Sequence, residues 1–143
     1  MIYFDSSALV KLVWAEEHSI DLVGWLNQYP DEHYVSSTLG DIELRRTVWR
    51  VDPGAMEDAD SVLAELTLLP IDATVVRVAG QLSHSYLRAL DAIHLATATG
   101  AFRPGDIQHF ITYDKRLRQV AVSEGLPAVA PGYEEGVTTY TDR

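Results

Sequence analysis

Residues 3–13 read YFDSSALVKLV, and this stretch decides the fold. Two aromatic residues that favour β-sheets come first and predict a short buried strand, which Asp5 follows. Ser6 or Ser7 can then cap the amino terminus of a helix that begins with Ala8. The order predicts a strand that passes directly into a helix, with Asp5 at the carboxyl end of the strand.

The rest of the sequence repeats this alternation. Further strands are predicted at 33–36, 68–71, 109–112 and 128–130, and helices at 20–28, 39–50, 55–67, 73–82, 90–99 and 115–124. Ser19, Ser37 and Asp72 are the predicted caps of three of these helices. Such alternation is typical of a parallel sheet covered by helices on both faces. We therefore expect an α/β fold, a three-layer α/β/α sandwich with a central parallel sheet of four to five strands.

The composition is that of one compact domain. The 143 residues are 47% hydrophobic and 22% charged and include no cysteine, which excludes disulfides and cysteine-ligated metal centres. We expect residues 1–130 to form the domain and 131–143 to form a loosely held tail. No apolar stretch reaches the length of a membrane span, and the first residues lack a basic leader. These features predict a cytoplasmic protein with no membrane partner.

The charge is strongly negative, because 21 acidic residues outnumber 11 basic ones and give a net charge of −10 with neutral histidines. A protein that binds nucleic acid through general electrostatic attraction carries the opposite sign. Any action on nucleic acid must therefore depend on a local site. The sequence also lacks a phosphate-binding glycine loop, an HExxH zinc motif and a GxSxG serine nucleophile.

Three acidic residues stand out by position, and each has an ordinary alternative explanation. Asp5 and Asp114 follow predicted strands, where either side chain could simply cap the next helix. Asp91 lies in an otherwise apolar helix, where burial raises the pKa of a carboxyl group unless a cation or a donor offsets it. Asp91 could also be the cap of that helix.

Glu43 is the fourth acidic candidate, although it could form helix-face ion pairs with Arg46 or Arg50, and Asp41 competes for its role. In parallel sheets, ligands bind at the carboxyl ends of the strands, where we expect these acids to meet. Clustered carboxylates are stable only with bound cations. Hard oxygen ligands favour Mg²⁺, with Mn²⁺ also possible.

Basic residues accompany these acids along the sequence. They could neutralise the acids or form ion pairs along helices. Alternatively, they could form a positive rim that holds phosphates around an acidic, metal-filled centre. The candidates for this rim are Lys11, Arg45, Arg46, Arg88, Lys115 and Arg116.

Four segments, in order, resemble the motifs of the PIN-domain ribonucleases, specifically the toxins of VapBC-type toxin–antitoxin pairs. They are DSSALVKL at 5–12, ELRR at 43–46, LRALDAIHLATA at 87–98 and FITYDKRL at 110–117. The third segment is the most specific match. The resemblance extends over nearly the whole chain.

The resemblance implies a PIN-like sandwich and a metal-dependent endoribonuclease that hydrolyses RNA phosphodiester bonds as a type II toxin. It implies a catalytic and metal-binding quartet of Asp5, Glu43, Asp91 and Asp114. Thr112 and Ser6 would orient a carboxylate or a water, and the basic rim would contact RNA. It further implies a homodimer and a small VapB-type antitoxin whose carboxyl-terminal segment enters the active-site groove.

Two other functions fit parts of the pattern. One is a non-catalytic PIN scaffold that binds RNA or protein, although a binding surface has no need of four mutually repelling acids. The other is a receiver-like domain that accepts a phosphoryl group on Asp. A receiver needs an acidic pair after its first strand, whereas Ser6 follows Asp5 here, and the third predicted strand ends in Pro70-Ile71-Asp72.

Overall fold

The computed structural model describes residues 1–133, and the junction around Asp5 forms as its sequence predicts. Strand β1 (Ile2–Phe4) is completely buried, and helix α1 (Ser6–Val13) follows it after a single residue. The cap differs from the prediction of Ser6 or Ser7. The Asp5 side chain itself accepts the hydrogen bond from the backbone N–H of Ala8, because Asp5 keeps extended backbone angles while the two serines are already helical.

The remaining elements alternate between strands and helices in the predicted order. They are α2 (Ser19–Leu26), β2 (Tyr34–Ser37), α3 (Thr38–Val51), α4 (Met56–Ala64), β3 (Leu66–Leu69), α5 (Ala73–Gln81), α6 (Ala89–Gly100), β4 (His109–Ile111), α7 (Lys115–Ser123) and β5 (Ala128–Val129). A single 3₁₀ turn, Pro53–Ala55, precedes α4.

The predicted caps are confirmed at two helices and wrong at the third. Ser37 and Asp72 cap α3 and α5 by accepting hydrogen bonds from backbone N–H groups. Helix α2 instead begins after His18, whose φ of 69° is left-handed and whose side chain makes no cap. The Ser19 hydroxyl donates to the carbonyl of Trp14, so it fastens the preceding turn and does not cap the helix.

The five strands form one parallel sheet in the order β3-β2-β1-β4-β5. Side chains alternate across β1: Ile2 and Phe4 enter the apolar core on one face, and Tyr3 enters the core on the other. The predicted sandwich with a central parallel sheet is therefore confirmed. The strand order reverses between β1 and β4, and the crevice at such a switch point is where open α/β sheets bind ligands.

The structure bears only in part on two predictions, namely the boundary of the domain and the absence of a membrane span. Most of the predicted tail, 131–143, lies outside the described residues, so the boundary at residue 130 stays a prediction. Within residues 1–133, no helix has both the length and the apolar character needed to cross a membrane.

Candidate active site

Asp5 occupies a closed pocket at the carboxyl end of the central strand, where it is only 3% exposed. One carboxylate oxygen, Oδ1, accepts hydrogen bonds from the Ser7 hydroxyl at 2.7 Å and from the Ala8 backbone N–H at 3.0 Å. The other, Oδ2, accepts from the Thr112 hydroxyl at 2.5 Å. Burial raises the pKa of Asp5, and these hydrogen bonds offset part of the rise.

The turn after β4 is tied to the same pocket. The Thr112 hydroxyl accepts from the backbone N–H of Asp114 at 3.1 Å, and the Ser7 hydroxyl accepts from that of Tyr113 at 2.9 Å. Ser7, not Ser6, is therefore the serine that contacts Asp5. The sequence feature that could have identified Ser7 is its position two residues after Asp5, on the first turn of the helix that Asp5 caps.

Arg88 joins the two remaining aspartates. Its Nε lies 3.3 Å from Asp91 Oδ2 and its Nη2 lies 3.5 Å from Asp114 Oδ2. Burial raises the pKa of Asp91, and the Arg88 charge opposes this shift. Asp91 lies in the first turn of α6 and is not its cap, whereas Asp114 does cap α7 by accepting from the backbone N–H of Leu117. The Arg88 side chain is 75% exposed, so it is free to move.

Glu43 is held by a buried histidine from α6. His94 Nε2 lies 2.7 Å from Glu43 Oε1, and His94 Nδ1 lies 2.8 Å from the Tyr3 hydroxyl. Burial raises the pKa of Tyr3 well above its usual range, so the Tyr3 hydroxyl stays protonated. The two ring nitrogens of His94 thus bridge Tyr3 and Glu43.

The same geometry separates Glu43 from its competitor, Asp41. Asp41 Oδ1 lies 2.6 Å from Arg45 Nε, and Arg45 Nη1 lies 2.6 Å from Asp60 Oδ1. Asp41 therefore belongs to an ion-pair network between α3 and α4. His94 lies one turn after Asp91 on α6, so Glu43 and not Asp41 adjoins the other acids.

The four acids thus form a connected set, which we call the acidic site: Asp5, Glu43, Asp91 and Asp114. Thr112 links Asp5 to the turn at Asp114, Arg88 links Asp114 to Asp91, and α6 links Asp91 to His94 and Glu43. Their oxygen donors suit a hard divalent cation. In the described part of the chain, however, no three Asp, Glu or His side chains are close enough to hold one as they stand. Arg88 instead supplies the positive charge.

Some side chains of the candidate basic rim contact acidic residues, and others are exposed on the surface. Arg45 is engaged as described, and Lys11 Nζ donates to Glu16 and to the carbonyl of Glu17 and lies over the Tyr113 ring. Arg88 contacts the acidic site. The remaining three are exposed on the surface: Arg46, Lys115 and Arg116.

Comparison with known proteins identifies the family. The family model for the PIN domain matches residues 2–123. The chain is 40% identical to Ribonuclease VapC35 of Mycobacterium tuberculosis over 132 residues, which are 92% of this chain and 98% of that protein. It is 39% identical to Ribonuclease VapC47 and 41% identical to Ribonuclease VapC46 of the same species, with 98% and 97% of those proteins covered and 92% and 91% of this chain.

A solved structure has the same fold. The crystal structure of VapBC2 from Rickettsia felis, bound to a DNA fragment from its promoter, contains a chain that superimposes with a TM-score of 0.71. The match covers 92% of this chain and 99% of that one at 15% sequence identity, so it supports the fold alone. The sequence matches extend from before Asp5 past Asp114 and include the whole acidic site. This chain belongs to the PIN-domain family.

Proposed function

We propose that this protein is a metal-dependent endoribonuclease that acts in the cytoplasm as the toxin of a type II toxin–antitoxin pair. The observation that carries the proposal is the acidic site, in which four carboxylates from separate elements are linked at the switch point of the sheet. Ribonucleases of the VapC group, related over nearly their full length, support the reaction type. A nuclease also reconciles a net charge of −10 with a polyanionic substrate, because the required positive charge is local.

Asp5 and Asp91 would hold a divalent cation, Mg²⁺ or Mn²⁺, with help from Glu43 and Asp114. Such a cation lowers the pKa of a bound water and offsets the charge that develops on the phosphate. Asp5 is suited to a ligand role because it is buried, uncharged donors orient both of its oxygens, and it forms no ion pair within residues 1–133. A cation would stabilise the ionised form of this carboxylate.

The surrounding side chains would keep the carboxylates in place during the reaction. Thr112 and Ser7 fix both oxygens of Asp5, and His94, itself fixed by Tyr3, orients Glu43. Loss of a partner of this kind commonly reduces metal affinity or activity by about 10- to 100-fold. Arg88 would exchange its carboxylate contacts for a phosphate of the substrate when RNA and the cation arrive.

The partners follow from the same charge pattern. A VapB-type antitoxin would place a basic segment against the acidic site and so compete with the cation, and the toxin would form a homodimer. The VapC relatives, which match this chain over nearly their full length, support the antitoxin as the proposed partner. The basic rim, above all the exposed Arg46, Lys115 and Arg116, would guide RNA to the site.

A cleavage assay tests the proposal. Purified protein should degrade RNA in Mg²⁺ or Mn²⁺ and not in EDTA, and Asp5→Ala and Asp91→Asn should each reduce kcat/KM by more than about 100-fold, beyond the cost of losing an outer-shell partner. Asp72→Asn, which changes an exposed helix cap far from the acidic site, is the matched control and should cleave normally. RNA binding without cleavage by the unmodified protein would instead support the non-catalytic scaffold.

A further inference from the structure

A cavity of about 670 Å³ opens beside the acidic site, and no part of the proposed reaction uses most of it. The segment 83–88, which precedes α6, forms one wall, and α7 forms the other. Asp91 and Asp114 belong to the lining, so a chain bound in the cavity lies next to the acidic site. The volume falls within the roughly 300–1,000 Å³ of small-ligand sites.

An unusually exposed aromatic side chain lines this cavity. Tyr86 is 81% exposed, the most exposed ring among residues 1–133. The Arg116 guanidinium lies over it, 5.8 Å from the ring centroid, and Arg88 lines the same cavity. The ring therefore has two arginines as neighbours and leaves most of its area to solvent.

The loop that carries Tyr86 is anchored in place. His84 Nε2 lies 2.8 Å from Glu124 Oε2 at the end of α7, and the backbone N–H of Leu87 donates to the carbonyl of His84 at 3.0 Å. Leu87 also packs against the apolar core beneath the loop. Because the residues on both sides of Tyr86 are fixed by these contacts, its side chain is exposed from an ordered turn.

An exposed ring between two arginines has the chemistry that binds unpaired nucleotides. Proteins hold single-stranded RNA by stacking its bases on aromatic rings and guanidinium planes, while arginines contact the phosphates. In a duplex the bases are already stacked on each other, and the ring would have no free face to meet. An apolar protein segment fits less well, because it would have to cover the charged side chains of Arg88, Asp91, Asp114 and Arg116.

We propose that this cavity is an RNA subsite in which one unpaired base stacks on Tyr86 while Arg116 and Arg88 contact the adjoining phosphates. The inference rests on the proposed ribonuclease function and adds a binding position for one base beside the acidic site. A nucleotide seated there places its neighbouring phosphate near Asp91 and Asp114, which line the same cavity. Tyr86 is thus a residue that selects the substrate and positions it, while the acids perform the chemistry.

Binding measured without catalysis tests the subsite. The probe is a fluorescein-labelled single-stranded RNA of about 10 nucleotides, titrated with protein in EDTA and followed by fluorescence anisotropy. Tyr86→Leu should weaken binding about 10-fold, the effect of losing one base–aromatic stack, and Tyr86→Phe should bind within about 2-fold of the unmodified protein. The same RNA annealed to its complement should bind equally to all three proteins.

Arginine variants test the second half of the subsite. Arg116→Ala should reduce the slope of log affinity against log salt by about 1, as expected for one lost phosphate contact. Arg103→Ala, which removes an exposed arginine outside the cavity, should not change this slope. Equal single-strand affinity for Tyr86→Leu and the unmodified protein, or equal losses in Tyr86→Leu and Tyr86→Phe, would overturn the stacking subsite.

Cleavage in Mg²⁺, measured in parallel, separates this inference from the proposed function. If the unmodified protein cleaves RNA and Tyr86→Leu has the same KM and kcat, the subsite is wrong while the ribonuclease stands. If Tyr86→Leu raises KM for a single strand with little change in kcat, both stand. If Tyr86 governs RNA binding but no protein cleaves, the subsite stands and the nuclease is wrong.

Discussion

The two halves of the acidic site neutralise their carboxylates in different ways. Around Asp5, three donors from α1 and from the turn after β4 fix both oxygens, and all of them are uncharged. Around Asp91 and Asp114, one exposed guanidinium supplies the compensation. Asp5 is rigid and lacks an ion pair, whereas Asp91 and Asp114 are neutralised by a side chain that solvent surrounds.

The difference indicates how one site can be both precise and open. Uncharged hydrogen bonds set the orientation of Asp5 and leave its negative charge available to a cation. The Arg88 pairing costs little to break, because exposed ion pairs contribute only about 0–1 kcal/mol. The site therefore has a fixed half around Asp5 and an exchangeable half in which the ion pairs of Arg88 can be replaced. Three predictions follow from this contrast.

The largest effect should come from loosening the fixed half. Thr112→Val keeps the shape of the side chain but removes the donor to Asp5 and the acceptor for the Asp114 N–H, so kcat/KM should fall about 10- to 100-fold. Thr112→Ser restores the hydroxyl and should recover most of the loss. Thr99→Val removes a hydroxyl that only contacts the carbonyl of Leu95, and an equal loss there would show that Thr112 has no special role.

A smaller effect, a gain in metal affinity, should come from changing the exchangeable half. Arg88→Gln frees Asp91 and Asp114, so Mn²⁺ should bind up to about 5-fold more tightly by isothermal titration calorimetry. The same change should weaken binding of single-stranded RNA, because a phosphate contact is lost. Arg103→Gln, in an exposed pair on another loop, is the control. Unchanged or weaker Mn²⁺ binding in Arg88→Gln would contradict the exchange of Arg88 for a cation.

The smallest effect concerns stability and pH. Because burial raises the pKa of Asp5, the folded protein holds this proton to a higher pH than the unfolded chain. The resulting stabilisation is complete below the unfolded pKa of about 3.9 and is lost as the pH rises through the folded pKa. Asp5→Asn removes the buried charge, so in EDTA its Tm at about pH 7 should exceed that of the unmodified protein by about 2–4 °C for each kcal/mol gained.

The pH profile checks the origin of that gain. Differential scanning calorimetry should show the melting temperatures of the variant and the unmodified protein converging below about pH 4. There the Asp5 carboxyl group of the unmodified protein is protonated in both the folded and the unfolded state. Asp72→Asn changes an exposed cap and should show no gain, since Asp and Asn cap helices equally well. A lower Tm for Asp5→Asn at neutral pH would mean that its hydrogen bonds outweigh the buried charge.

Local signals in the sequence were enough for most of the fold. The order of elements, the parallel sheet and the caps at Ser37 and Asp72 follow from periodicity and from residue types that act over a few positions. The boundary between α4 and β3 was misplaced, because Leu66 continues the helical spacing of Leu63 although it pairs with Tyr34 in the sheet. Strand pairing with a distant segment thus overrides a helical pattern.

The side-chain partners within the acidic site could not be read in the same way. The interaction of His94 with Glu43 joins residues 51 positions apart, and that of Thr112 with Asp5 joins residues 107 apart. Spacing along one helix places His94 one turn after Asp91 and does not show its partner on α3. Only the packing of α6 against α3 and β1 shows that His94 connects Tyr3 with Glu43.

The pairing of β1 with β4 has a consequence for synthesis of the protein. The central strand is translated first, but its neighbour on the Asp5–Thr112 side begins only at His109. A nascent chain that stops short of this strand has no partner for β1 on that side and no hydroxyl to orient Asp5. Truncated products therefore cannot complete the acidic site, which forms only after most of the polypeptide has emerged from the ribosome.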